Sequence, residues 1–438
     1  MIKKILKLVC LILIIIGVWY GITITIKKQV PDISKKEVEQ KIISRIQIKT
    51  ANITSFYTYG RAFNLKGEIS GINKDNFENV KLVITDGFEY EKEYELDYEL
   101  KDSVLKFISS NEINSGLIID NLKGEEFYIL LRLKLNNSIE PRYYSFSNNS
   151  ELKNINYYTI TDGDKNRKAE ISFVVNENGE EKHNLLKIAL KEDVLPDDVY
   201  DIVIDAGHGG SDVGEKLGNI TEADITLEYA KLLKNSLQEK GYKVLLTRDD
   251  DNTKYFSYTN MYDQDGRITN ACKSKAKLMI SLHINQGNNS LNGLEIYCPC
   301  NSNLQFAKEL ANKITEYSNI EYSNNSSFRK IDGVYERNFT KAEIKSFAKT
   351  AEDKGYEPYP ITVQTPYLYT IRETGGIATN AYVDGRNTDY SANEYYNSNQ
   401  GIECYQVELG YIKNDLEIIT NEKENYVKAM VEAICNNY

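Results

Sequence analysis

The chain has 438 residues, 41% of them hydrophobic and 27% charged, the make-up of a folded protein too long for a single core. Its net charge of −11 argues against a nucleic-acid partner, which normally demands a basic face.

Residues 1–28, MIKKILKLVCLILIIIGVWYGITITIKK, place Lys3, Lys4 and Lys7 before an uncharged run from Leu8 to Ile26, which Lys27 and Lys28 close. At ~1.5 Å per residue the run makes a helix of roughly 29 Å, enough for the hydrocarbon core of a bilayer. It is longer than the apolar part of a cleaved leader, and GITITIKK offers no small-residue cleavage site. The expectation is an uncleaved signal anchor, single-pass in the cell membrane with its N-terminus inside and the rest of the chain outside. Cys10 reads as a membrane-facing apolar residue. The other cysteines, Cys272, Cys298, Cys300, Cys404 and Cys435, are odd in number and irregular in spacing, a poor disulfide framework. Cys298 and Cys300 lack the second ligand pair of a structural zinc site.

Residues 29–50 read as a stalk, with SKKEVEQKIISRIQ at near-helical spacing. From 51 to 190 short alternating runs such as NVKLVITDG and EFYILLRLKL are broken by Gly, Asn and Asp, which predicts a β-sandwich of immunoglobulin-like type. No catalytic constellation appears there, and His183 reads as an exposed residue after an Asn178-Gly179 turn. The region is expected to space the rest from the membrane or to bind a wall or protein partner. Residues 191–198 form a linker. From 199 to 438 strands alternate with helices, predicting an α/β domain with a mostly parallel sheet flanked by helices. VYDIVID, KVLLT, KLMISLHIN, GLEIYCP and IECYQVELGY are its strands. Its first long helix starts at Glu222, with Thr221 as N-cap and Asp224 three residues on, and stops at Gly241.

In such sheets ligands bind at the carboxyl ends of the strands. His208 follows the first strand, His283 ends KLMISL, Glu408 ends IECYQVEL and Glu222 opens the long helix. Taken singly, His208 reads as a turn residue, His283 as a satisfied strand-end histidine and Glu222 as a helix-dipole carboxylate. Glu408 is harder to dismiss, since a carboxylate in an apolar strand is costly without a partner. Together, two imidazoles and one carboxylate make a catalytic zinc set with an open position for water, and a second carboxylate serves as general base. Spacing alone does not divide those two roles between Glu222 and Glu408. GHGGSDVG fits neither a dinucleotide loop nor a P-loop, and no serine-hydrolase elbow is present.

IDAGHGGSDVG, TEADITLEYAKLLKNSLQEKGYKVLLTRDDD, GRITNACKSKAKLMISLHIN and ECYQVELGYIKND together resemble the zinc-dependent N-acetylmuramoyl-L-alanine amidases of bacterial cell-wall turnover. The resemblance runs from about residue 199 to residue 438. It implies one zinc ion bound by His208, Glu222 and His283, with Glu408 as the catalytic acid/base. It also implies peptidoglycan as substrate, cut at the amide between N-acetylmuramic acid and L-alanine. Two other classes stand beside it: a wall-binding or regulatory protein on the same fold, and a zinc peptidase cutting within the stem peptide. Between GLEIYCP and ECYQVEL the chain is longer and more tyrosine-rich than a minimal member. There Arg372 is a candidate to hold a stem-peptide carboxylate bidentately, beside the reading of an ordinary surface arginine.

Overall fold

The computed structural model describes residues 35–438 apart from 121, 137, 148–154, 162–164, 176–180, 193–195, 251–265, 354, 356–360 and 376–400. The expected membrane anchor, the Asn178-Gly179 turn and the later part of the tyrosine-rich insertion lie outside the described residues. Among the described residues no helix is long and apolar enough to cross a membrane.

The first part of the chain forms a six-stranded and a seven-stranded sheet. Alternation along each strand turns one row of side chains inward. Ile53, Phe63 and Leu105 of one sheet thereby share a core with Leu82, Ile129 and Leu131 of the other, which makes a sandwich. Its immunoglobulin-like kinship stays an expectation from the sequence. The segment read as a stalk contains a helix, Lys35–Arg45, that is not free-standing. Ile42 is wholly buried against Tyr128 and Leu130, which alternate with the core-facing residues and so lie on the outer face. His183 lies on the strand Glu181–Glu192.

The second part is a mixed sheet. Its strands are β1 (Ile202–Ala206), β2 (Val244–Leu246), β3 (Leu278–Asn285), β4 (Glu295–Tyr297), β5 (Arg329–Ile331), β6 (Val334–Tyr335) and β7 (Glu403–Tyr411). They lie in the order β2-β1-β3-β7-β4-β6-β5. The expected parallel pairing holds from β2 to β7 and again between β4 and β6. β4 runs antiparallel to β7, and β5 antiparallel to β6.

The helices are α1 (Glu222–Glu239), α2 (Arg267–Lys273), α3 (Gln305–Tyr317), α4 (Lys341–Asp353), α5 (Tyr369–Thr374), α6 (Leu416–Asn421) and α7 (Lys423–Asn437). Ile202, Ile204, Ile280 and Val407 face α1, α3 and α7 through Leu233, Leu310 and Met430. The alternate residues Val203, Met279 and Cys404 face Ala271 of α2 and Ile371 of α5. Helices therefore cover both faces, and the carboxyl ends of β1, β3 and β7 come together at one edge.

Candidate metal centre and its acid/base

The loop after β1 bends sharply. Gly207 donates to the Leu282 carbonyl at 3.0 Å, and Gly209 and Asp212 exchange backbone hydrogen bonds of 2.6 and 3.0 Å. Between them His208 adopts a φ of 58°, uncommon for a residue with a β-carbon. Two glycines make room for the side chains. A β-carbon at Gly207 would fall 2.5 Å from His283 Cε1, and one at Gly214 would fall 2.5 Å from Glu222 Oε2.

Glu222 is the first residue of α1, and the Thr221 hydroxyl accepts the Asp224 N–H as the expected cap. Its Oε1 lies 3.2 Å from His208 Nε2 and 3.1 Å from His283 Nδ1, and accepts the Ile284 N–H at 2.7 Å. Its Oε2 accepts the Glu215 N–H at 2.9 Å. The carboxylate is thus locked between the two histidines. Burial opposes its charge, yet both rings outweigh that and hold Glu222 well below the usual carboxylate range. Burial likewise opposes a charged His208, but hydrogen bonds to Glu222 and Asp212 raise it to about 9.

One ligand atom from each of His208, Glu222 and His283 falls within 4.8 Å of the other two. The set fits a metal. Two nitrogens and one oxygen suit zinc with an open fourth position. The Nε2 of His283 is also buried with no hydrogen-bond partner among the described residues.

Glu408 reaches the same edge on β7. It pairs in register with His283 on one side and with Glu295 on the other. Gln406 Nε2 donates to Glu408 Oε1 at 2.7 Å. Burial pushes Glu408 up to about 7, and the Glu222 charge adds to it. A carboxyl that titrates near neutrality can both take and give a proton. Glu295, fully buried, is pinned by the hydroxyls of Tyr411 at 2.6 Å, Ser323 at 2.7 Å and Tyr297 at 2.8 Å.

A second layer holds the His208 loop. Arg267 donates to the carbonyls of Ala206 at 3.1 Å and His208 at 2.9 Å while pairing with Asp205 at 2.8 Å. Asp205 also accepts from Thr247 and Ser281, each at 2.6 Å. Arg248 donates to the carbonyls of Ala206 at 2.9 Å, Gly207 at 3.0 Å and Ala223 at 2.7 Å, tying the loop to the start of α1.

Of the residues the sequence singled out, the structure brings His208, Glu222, His283 and Glu408 together. Arg372 is elsewhere in its bonding: only 4% exposed, it pairs with Glu373 at 2.9 Å and donates to the carbonyls of Pro366 and Tyr367. Contact with a substrate would require its release from these partners. Sequence reasoning passed over Asp212, Asp205, Arg267, Glu295 and Gln406. The signal for Gln406 and Glu295 was a polar residue inside an otherwise apolar run, and Asp212 stood in the glycine loop itself.

The family model described as N-acetylmuramoyl-L-alanine amidase matches residues 202–437. A germination-specific N-acetylmuramoyl-L-alanine amidase of Bacillus subtilis is 39% identical over 90 residues, 19% of this chain and 38% of that protein. An uncharacterized protein of Bacillus subtilis, YqiI, is 30% identical over 113 residues, 26% of this chain and 51% of that protein. The chain thus spans about half or less of the length of these two relatives. Among solved structures, the N-acetylmuramoyl-L-alanine amidase AmiC2 of Nostoc punctiforme is 20% identical over 54% of this chain and 96% of that one, with a TM-score of 0.34. The matched residues take in both histidines, both glutamates and every strand that carries them, and the chain belongs to the N-acetylmuramoyl-L-alanine amidase family.

Proposed function

We propose that the protein hydrolyses the amide between N-acetylmuramic acid and L-alanine in peptidoglycan, using one zinc ion and working outside a cell membrane that residues 1–28 anchor it to. The observation that carries this reading is the convergence of His208, Glu222 and His283 within 4.8 Å, with Glu408 in register beside His283. His208, Glu222 and His283 hold the ion. Zinc bound there would acidify water and polarise the amide carbonyl. Glu408 takes the proton of the attacking water and passes it to the leaving nitrogen. The second layer around Asp205 and Arg267 keeps the His208 backbone fixed while the proton moves. The sandwich, taken as immunoglobulin-like, spaces the catalytic part from the membrane or binds a wall or protein partner.

Product analysis on defined peptidoglycan, with and without a chelator, tests the reading. Intact stem peptides beginning with free L-alanine, lost on chelation, are the expected products. Cuts within the stem peptide would indicate a peptidase instead. If zinc-loaded protein leaves a wall intact that a control amidase digests, the reading fails in favour of a wall-binding protein.

A further inference from the structure

Among the described residues Glu408 has one hydrogen-bond donor, Gln406, and that donor is itself held from a third element. Cys404, Gln406 and Glu408 alternate along β7 and so project to one face, the face that α5 covers. Thr370 of α5 is wholly buried, and Gln406 is 7% exposed. The Thr370 hydroxyl donates to Gln406 Oε1 at 3.3 Å, and Gln406 Nε2 donates to Glu408 Oε1 at 2.7 Å. A hydroxyl donor calls for the carbonyl end of the amide, so it turns the NH₂ end towards Glu408. Packing alone does not call for glutamine here, because an apolar side chain would fill the space without burying an amide.

We infer that Gln406, oriented by Thr370, is a positioning residue that assigns separate tasks to the two oxygens of Glu408. The inference rests on the proposed role of Glu408 as acid/base. In a protonated carboxyl the carbonyl oxygen is a better acceptor than the hydroxyl oxygen, so the Gln406 N–H favours Oε1 as the oxygen that stays unprotonated. A proton taken from water therefore goes to Oε2, which has no hydrogen bond among the described residues. The terminal torsion of a glutamate is broad, and a single fixed donor is what holds the carboxyl plane. Gln406 touches no reacting atom in this scheme; it sets which oxygen exchanges the proton and in which direction that oxygen points.

The test uses the full chain with Gln406→Leu, Thr370→Val, Thr370→Ser and the double variant Thr370→Val/Gln406→Leu. Gln406→Leu should lower kcat by about ten- to a hundredfold, with KM within about twofold and zinc stoichiometry unchanged. Thr370→Val should lower kcat by about three- to tenfold, and the double variant should be no worse than Gln406→Leu, as for residues acting in one chain. Thr370 also approaches the Cys404 thiol, so Thr370→Ser, which keeps the hydroxyl, should restore turnover. A lowered Tm with intact kcat, or additive losses, overturns the inference. An infrared comparison with Glu408→Gln isolates the Glu408 carboxyl bands without any substrate. Those bands should move in Gln406→Leu and less so in Thr370→Val; unmoved bands overturn the positioning role even if the wild-type protein proves inactive. Wild-type inactivity with moved bands counts against the amidase reading alone. Should Gln406→Leu fail to fold, the Thr370 pair carries the same comparison.

Discussion

His208 is held from both edges of its ring. Nε2 faces Glu222, while Nδ1 lies 3.0 Å from Asp212 Oδ2. A carboxylate at Nδ1 keeps the proton there and leaves the Nε2 lone pair for a metal. Asp212 is itself fixed, since its Oδ1 accepts the Gly214 N–H at 3.2 Å. Asp212→Ala should weaken zinc binding by about 10- to 100-fold in competition with a chelator. Unchanged affinity would mean that the turn alone sets the ring. Glu408→Gln, by contrast, should keep zinc bound and lower turnover by about 10²- to 10⁴-fold. Activity that survives would move the acid/base role to another group. The gathering of His208, Glu222, His283 and Glu408 at one edge was legible because each stands near the end of a recognisable strand or at the start of a helix, whereas the division of roles between the two glutamates was implied only by the family resemblance. Asp212 was visible as a letter but not as a partner, because only the bent loop returns it to His208.

At the scale of elements, the start of α1 decides where Glu222 sits. The Thr221 cap satisfies the Asp224 N–H, and the Thr221 hydroxyl also reaches the Asp224 carboxylate at 2.6 Å. Thr221→Ala should destabilise the fold by about 1 kcal/mol, read from denaturant unfolding. Because Glu222 is the adjacent residue, the same substitution should weaken zinc binding; a stability loss with intact metal affinity would separate the cap from the site. The cap was readable from Thr221 and Asp224 alone, since capping is local chemistry. The direction of β4 was not. GLEIYCP has the composition of a strand in either sense, and its antiparallel sense follows from pairing with β7, far away in sequence. Thr370 was likewise invisible as a partner, because Gln406 lies across a region too long for spacing arguments.

Across the whole molecule, the sandwich meets the sheet at the strand starts, opposite the metal edge. Asn114 donates to the buried Glu403 at 2.6 Å and accepts the Asn303 N–H, also at 2.6 Å. Arg61 pairs with Asp120 at 2.6 Å, Asp120 lies 3.7 Å from Lys277, and Gly60 donates to the Gly401 carbonyl at 2.9 Å. The hydroxyls of Tyr405 and Tyr438 also bond Glu403. Burial pushes Glu403 up, and these donors hold that in check. Removing a donor from a buried carboxylate costs about 1–3 kcal/mol, so Asn114→Ala should lower Tm while leaving zinc affinity unchanged. Two separate thermal transitions in the wild-type protein would contradict this coupling. No sequence pattern announced the contact, because its two halves belong to regions with different periodicities.

The alternation of β7 has an evolutionary consequence. Glu403 and Tyr405 answer to the sandwich, whereas Gln406 and Glu408 answer to α5 and the metal edge. One short strand therefore carries two independent sets of selective constraints, one near its start and on one face, the other nearer its end and on the opposite face. Relatives without a sandwich should be free to drift at 403 yet keep glutamate at 408, and position 406 should change together with 370. An alignment of such relatives checks this directly, and drift at 403 and 408 together would contradict it.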